Sequence, residues 1–166
     1  MNILIAYATK TGTAEICAKK LADAFPSHRV SLINLSVEEP NPLEFDFIVV
    51  GGSIRMGRLH KVAYKFIAKN LDKIKNKKTA YFICNGFPDN TDKYLKNAFP
   101  RGASDAAVLL DSFGGELKLD KQRGIDKFIV KSILNSSKVN EDSEFIIPTI
   151  STEGIGRFAD KIKENL

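Results

Sequence analysis

Short apolar runs alternate along the chain with segments whose apolar residues recur at helical spacing. Strands are predicted over 3–7, 30–35, 47–50 and 80–84, with a fifth inside 112–119. The third and fourth runs are almost entirely apolar and aromatic, as in strands buried on both faces. This alternation predicts an α/β fold: a doubly wound, five-stranded parallel sheet between two helical layers, α/β/α.

Helices are predicted where apolar residues share one face. Such faces occur within 14–25 and 59–74, a third helix begins near Thr91, and Ser151 or Thr152 caps the last. Pro26 follows the first of these segments, where a helix is expected to stop.

The segment 119–145 is longer than the connection that a minimal five-stranded fold needs. We therefore predict one domain over 1–166 that carries this segment as an insertion. Within it, 124–134 has an apolar stripe with a basic fringe. That pattern occurs in helices that lie on anionic membranes and also in helices that pack on their own sheet, so both interpretations stay open.

Composition narrows the class of protein. A chain of 166 residues suits one domain, and 43% apolar residues are enough for a core. We expect neither a secretory signal nor a membrane span, because the chain starts with a strand-like run and has no long apolar stretch. Two distant cysteines and two histidines predict no disulfide framework and no metal site. The expected location is cytoplasmic.

The net charge of +5 is unevenly distributed. Between Arg55 and Lys78 the chain has nine basic residues and one acid, Asp72. A solvated helix face explains most such runs. The alternative is a surface that meets something anionic, such as carboxylates, lipid head groups or an acidic partner.

The loop after the first strand carries candidate binding chemistry. Small and hydroxyl residues at a helix start allow backbone amides to converge on a phosphate, where the helix dipole adds positive potential. A threonine-rich helix cap without a ligand is the alternative. The loop consists of Thr9, Lys10, Thr11, Gly12 and Thr13.

Three related nucleotide or phosphate sites are excluded by their motifs. The chain lacks GxxxxGK[ST], and no GxGxxG follows its first strand. A receiver domain needs acidic residues after strands one and three, where this chain has Ala8-Thr9 and Gly51-Gly52-Ser53.

The first loop resembles the phosphate loop of flavodoxins, [ST]-x-T-G-x-T, and the order of strands and glycines is similar to that family over nearly the whole chain. The resemblance implies a flavodoxin-like fold and FMN as the cofactor. Ala14 replaces the last threonine of the pattern. Losing that hydroxyl costs about 1–2 kcal/mol of binding, while the backbone amides remain.

The loop after strand three narrows the resemblance. Its sequence, Gly51 to His60, matches every fixed position of the G-x-S-I-R-x-G-x-x-H stretch of the menaquinone-dependent protoporphyrinogen oxidases. This similarity implies contact with the flavin ring from this loop and from the loop after strand four. The implied residues are Gly52, Ser53, Ile54, Arg55, Met56 and Gly57, together with Asn85, Gly86, Phe87 and Asp89.

Flavodoxins usually enclose the ring between aromatic side chains, but this chain has no tryptophan. Phe87 is the candidate for stacking, and Met56 is the candidate for a soft second wall. Phe87 is equally compatible with the core.

The resemblance implies an oxidase that takes hydrogens from a tetrapyrrole and passes electrons to a quinone. Arg55, with Arg58 and Lys61, is expected to hold substrate carboxylates. His60 is a candidate for proton transfer or for a simple helix cap. Peripheral contact with the inner face of the membrane is a further expectation, no nucleic-acid partner is expected, and the oligomeric state stays open.

Three other functions remain. A flavodoxin-type electron carrier is the main alternative, although carriers are usually acidic. The others are a flavin-dependent NAD(P)H:quinone reductase and a binding module that has lost FMN, for which Ala14 is the only hint.

Overall fold

A computed structural model of the chain describes residues 1–86, 88–115 and 149–166. The strands are β1 (Asn2–Ala8), β2 (Arg29–Asn34), β3 (Phe47–Arg55), β4 (Arg58–Leu59), β5 (Lys78–Cys84) and β6 (Leu109–Ser112). The helices are α1 (Thr13–Ala22), α2 (Lys61–Ile74), α3 (Thr91–Asn97), α4 (Ala103–Ala106) and α5 (Thr152–Lys163). Two short 3₁₀ turns cover Pro42–Glu44 and Pro88–Asn90.

Five of these strands form a parallel sheet in the order β2-β1-β3-β5-β6. The predicted doubly wound α/β fold is therefore confirmed. The strand order reverses between β1 and β3. Flavodoxins are a standard example of this strand order. The register pairs Ala8 with Gly52 and Ser53 with Cys84, so that β1, β3 and β5 end close together at one edge.

Helices cover both faces of the sheet over separate apolar cores. On one face, α1 and α5 pack against β1, β3 and β5. On the other face, α2, α3 and α4 pack against alternate residues of the same strands. Because each central strand faces a core on both sides, its sequence is apolar throughout, which is why these strands were predictable.

Two strands differ from the sequence prediction. The last parallel strand lies at Leu109–Ser112, mostly before the predicted window of 112–119. It is a half-buried edge strand that ends in Asp111 and Ser112, so the apolar pattern marks it only weakly. The two-residue strand β4 was not predicted, because it exists only through its antiparallel pairing with the end of β3.

Gly115 and Thr149, the described residues on either side of 116–148, are in contact. The Gly115 N–H donates to the Thr149 carbonyl at 3.3 Å, and the Ser151 N–H donates to the Phe113 carbonyl at 2.9 Å. Gly114 and Ile150 form an antiparallel bridge. The predicted insertion at 119–145 lies outside the described residues.

An aromatic stack under α5 depends on a glycine in β3. Phe82 stacks on Phe113 at 4.7 Å between ring centroids, and Phe113 meets Phe158 edge-on at 5.0 Å. A Cβ atom added to Gly51 would lie 2.2 Å from the Phe82 ring. Phe82 is fully buried and held by Phe113, so it has no space into which to move.

We predict that Gly51→Ala destabilises the protein by about 1–3 kcal/mol, because the added methyl overpacks this stack. Gly156→Ala is the matched control: nothing lies within 4 Å of a Cβ at this position inside α5. Removing a helix-interior glycine there should stabilise by about 0.5–1 kcal/mol. Denaturant unfolding of both variants measures the effect, and a neutral Gly51→Ala would contradict the packing argument.

Candidate functional site

Three loops meet where β1, β3 and β5 end. The first, residues 9–13, joins β1 to α1. The second, 52–60, contains the end of β3, a turn and β4, and it leads into α2. The third begins at Asn85 and leads through a 3₁₀ turn into α3. Ligands of open parallel sheets bind at such an edge, beside the point where strand order reverses.

The first loop presents the amino end of α1. Gly12 is its N-cap residue, with φ at 89°, a conformation that favours glycine. The Thr9 hydroxyl accepts a hydrogen bond from the Gly12 N–H at 3.0 Å, which fixes the turn. No side chain caps the helix, so the first-turn amides that begin at Thr13 have no intrahelical acceptor and suit an anion.

Two buried hydroxyl groups at this edge have no hydrogen-bond partner among the residues that the structure describes. They are Thr13 Oγ1, in the first turn of α1, and Ser53 Oγ, at the end of β3. An unsatisfied buried polar group costs about 1–3 kcal/mol, so such groups call for an explanation within the fold or its ligand. Both hydroxyls lie where the resemblance implies FMN contacts, and the residues present therefore fit that cofactor.

The second loop is a β-hairpin that extends β3 beyond the sheet. Met56 and Gly57 form its tip with φ at 48° and 76°, and Met56 is 79% exposed. Both φ values are positive, as a two-residue turn of type I′ requires. The hairpin pairs Ile54 with Leu59 and Arg55 with Arg58. The tip lies beside α3, since a Cβ at Gly57 would be 3.9 Å from the Tyr94 ring.

The hairpin concentrates positive charge. Arg55 and Arg58 are directly opposite each other, so two guanidinium side chains leave the same side of the hairpin. Arg55 is half-buried and Arg58 is exposed. Burial, followed by the charges of Arg55 and Lys10, lowers the pKa of His60. Lys10 and Arg55, from different loops, therefore act on the same histidine.

His60 caps helix α2. Its ring Nδ1 accepts a hydrogen bond from the Val62 N–H at 3.4 Å, and the backbone N–H of His60 donates to the Ser53 carbonyl at 3.0 Å. This bonding pattern assigns the ring proton to Nε2 when the side chain is neutral. The cap expected as one of two roles is therefore present, while proton transfer by His60 stays a prediction.

The third loop is fixed by a buried network around Asn85. The Asn85 amide donates to Thr91 Oγ1 at 3.1 Å, and its oxygen accepts from the Ser112 hydroxyl at 2.6 Å. Its backbone N–H donates to the Gly114 carbonyl at 2.9 Å. The side chain of Asn85 thus positions the loop against α3 and β6, and a role in binding FMN is left as a prediction.

The remaining predicted residues of the third loop lie around it. Gly86 is half-buried, and Asp89 is exposed in the 3₁₀ turn. Phe87, the predicted stacking residue, lies outside the described residues. Gly115 packs against the Asn85 backbone, where a Cβ would lie 2.9 Å from the carbonyl carbon. Gly115 therefore lies directly beside the third loop.

The structure also brings together two cysteines whose spacing in the sequence gives no indication of contact. Cys84 Sγ lies 3.6 Å from Cys17 Sγ, and both thiols are buried. This hydrogen bond, with burial, raises the pKa of Cys84 well above its ordinary value. The group remains a thiol at neutral pH, so thiolate chemistry is not favoured here.

Among the described residues, no group of three or more His, Cys, Asp or Glu side chains is arranged to hold a metal ion. In the same part of the chain, no helix combines the length and apolarity needed to cross a membrane.

The strand order and the loops at this edge together define an α/β protein of the flavodoxin-like class. Comparison with protein families agrees: the family described as Flavodoxin domain matches residues 4–144. The chain therefore belongs to the Flavodoxin domain family.

Individual relatives are distant. The chain is 24% identical to the protoporphyrinogen IX dehydrogenase (quinone) of Escherichia coli strain K12, over 98% of this chain and 94% of that protein. The flavodoxin of Streptococcus pneumoniae TIGR4 has a TM-score of 0.58 at 14% identity, with 100% of both chains covered. The Fusobacterium nucleatum flavodoxin bound to flavin mononucleotide has a TM-score of 0.57 at 14% identity, covering 99% of this chain and 98% of that one. The two structures support the fold.

We predict opposite effects of Thr13→Val on stability and on FMN binding. Removing the unpartnered hydroxyl should stabilise the FMN-free protein by about 1 kcal/mol, while loss of a bond to phosphate should weaken FMN binding about tenfold or more. Thr79→Val is the control, because Thr79 is buried at the opposite end of β5. Flavin fluorescence titration and denaturant unfolding test both parts. Unchanged FMN affinity in Thr13→Val would remove this hydroxyl from the site.

We predict that His60→Asn reduces the loss of stability at mildly acidic pH. The folded state lowers the His60 pKa, so the unfolded chain binds the proton more readily and stability falls as pH drops below about 6.5. Protonation also removes the Nδ1 acceptor of the helix cap. Asparagine keeps a good cap and does not titrate. We measure the unfolding free energy of variant and parent from neutral to mildly acidic pH. The parent should lose more stability than the variant over this range, and an equal loss in both would contradict a titrating cap at His60.

Proposed function

We propose that the protein is an FMN-dependent oxidoreductase that takes hydrogens from protoporphyrinogen and passes electrons to a quinone. The observation that carries this proposal is the hairpin that sets Arg55 opposite Arg58 beside a loop suited to phosphate. The named activity of the distant Escherichia coli relative, which aligns over almost the full length of both chains, supports the same function.

The residues that would hold FMN are divided between the three loops. The hydroxyl of Thr13 and the first-turn amides of α1 would bind the phosphate, with Gly12 providing the turn. Ser53 and the neighbouring backbone of β3 would lie beside the ring. When bound, FMN supplies the redox chemistry by accepting hydrogen from the substrate and releasing electrons to the acceptor.

The arginine pair would bind the carboxylates of the tetrapyrrole. A guanidinium group holds a carboxylate through two parallel hydrogen bonds, and an anion between two arginines relieves their mutual repulsion. Arg58 is exposed and Arg55 is half-buried, so the pair extends from solvent into the site. This placement would orient the substrate at the same edge as the cofactor.

His60 would contribute as a hydrogen-bond donor. Its lowered pKa keeps the ring neutral at pH 7, and the capping bond occupies Nδ1. An Nε2–H group would then donate to an acceptor in the site without adding a third full charge beside Arg55 and Lys10. To act as a base, the ring would first have to break the hydrogen bond that its Nδ1 accepts from the Val62 N–H.

The second candidate is a flavodoxin-type electron carrier. It is favoured by the structural neighbours, which are flavodoxins. The positive hairpin disfavours it, since carriers are usually acidic at the surface around the flavin. A carrier would also have no need for a paired arginine site.

Anaerobic turnover of protoporphyrinogen by the FMN-loaded protein with a menaquinone analogue tests the proposal. We predict quinone-dependent formation of protoporphyrin, and a KM about tenfold or more higher in Arg58→Gln, because a charge-assisted bond is lost. FMN affinity should not change in this variant.

Arg157→Gln makes the same charge change on α5, in the other helical layer, and should leave KM unaltered. Absence of turnover together with rapid electron exchange with a flavodoxin reductase would replace the oxidase by the carrier. Equal loss of FMN binding and substrate binding in Arg58→Gln would place this arginine at the cofactor instead.

A further inference from the structure

Helix α2 carries a row of lysines along its exposed side. Lys61, Lys65, Lys69 and Lys73 recur every four residues and are all exposed. At 1.5 Å per residue this lysine ridge is about 18 Å long. Arg58, also exposed, precedes it in β4.

Little of this charge is neutralised within the described chain. Lys69 pairs with Glu39 at 2.7 Å, and Asp72, beside the ridge, pairs with Lys75 at 2.8 Å. Both pairs are exposed and therefore weak. Lysines four residues apart repel each other and destabilise a helix. The ridge thus lowers the stability of α2, and the one weak pair of Lys69 with Glu39 compensates for this only in part among the residues that the structure describes.

The apolar side of α2 is already used in the core. Ala63, Phe66 and Ile67 are buried against the sheet, so the helix has no second apolar face to insert into a bilayer. What it offers to a partner is a row of ammonium groups and one amphipathic aromatic, Tyr64, which is 42% exposed. Any contact made by this surface must be mainly electrostatic.

We infer that the lysine ridge docks the protein on an anionic lipid surface. Lysine is a strongly hydrated point charge, and each lysine near an anionic membrane contributes to adsorption without needing a fixed geometry. Protein interfaces, in contrast, are enriched in arginine and depleted in lysine. Tyrosine is favoured at the boundary between lipid and water.

This inference adds a docking surface to the proposed function, and the purpose of that surface rests on the proposed function. The ridge begins at Lys61, immediately after His60 at the candidate site. Adsorption through α2 therefore holds the amino end of this helix, and the site beside it, near the membrane surface. A quinone acceptor dissolved in the bilayer would then be within reach.

Binding of the FMN-loaded, full-length protein to vesicles tests the inference. We expect binding to phosphatidylcholine vesicles that contain phosphatidylglycerol, release at high salt, and no binding to pure phosphatidylcholine. Lys65→Glu combined with Lys73→Glu should weaken binding about tenfold or more. This variant should fold well, because each new glutamate lies one turn from Lys69 and forms a favourable pair.

Lys20→Glu combined with Lys161→Glu is the matched control: it changes the charge equally, on exposed positions of α1 and α5 across the sheet. Equal weakening in the control would mean that net charge alone drives binding, and would overturn the inference. The inference is also overturned if the protein does not bind anionic vesicles. If it then binds polyglutamate through the ridge, the partner of this surface would be an acidic protein. Turnover with a soluble quinone tests the proposed function separately, because it needs no membrane.

Discussion

The parallel pairing of β3 with β1 on one side and β5 on the other is the constraint on which the rest of the structure depends. It aligns Ala8, Gly52 and Cys84 at one edge, so that three loops far apart in sequence start from neighbouring points. Close packing maintains this alignment. Gly51 admits the Phe82 ring on one face, and Gly52 lies against the Ala8 carbonyl and the His60 side chain. Side chains at these two positions would separate the layers that the site needs.

Unfavourable interactions concentrate at the same edge. Among the described residues, the buried Thr13 and Ser53 hydroxyls have no hydrogen-bond partner, and Met56 has a positive φ that few side chains adopt. Each feature lowers the stability of the protein alone, and a ligand with polar atoms would offset the cost of the two hydroxyls. Away from this edge, the central strands are apolar and buried in the two cores, and they supply the stability that the edge lacks.

The proposed substrate binding and the proposed membrane docking use different parts of one positive surface. Lys10, Arg55 and Arg58 surround the site, whereas the lysine ridge extends from it along α2. The guanidinium pair is suited to particular carboxylates and the ammonium row to a diffuse anionic surface. His60 lies where the two meet, since it caps α2 and also feels the charges of Arg55 and Lys10. The sequence showed the excess of basic residues in this region but left open whether they met a solvent, a substrate or a surface.

The sequence by itself determined the fold class, the four central strands, the main helices and the glycine-containing loops, because continuous apolar runs and helical spacing are local properties of the chain. Through a resemblance to a known family, the sequence also predicted which residues form the candidate site, and these assignments stay predictions. Only the tertiary structure decided what depends on partners distant in sequence. The edge strand at Leu109–Ser112, the hairpin that opposes Arg55 to Arg58, the network around Asn85 and the contact of Cys17 with Cys84 are of this kind. No local pattern marks them, because each arises from the register of the sheet and the packing of helices on it.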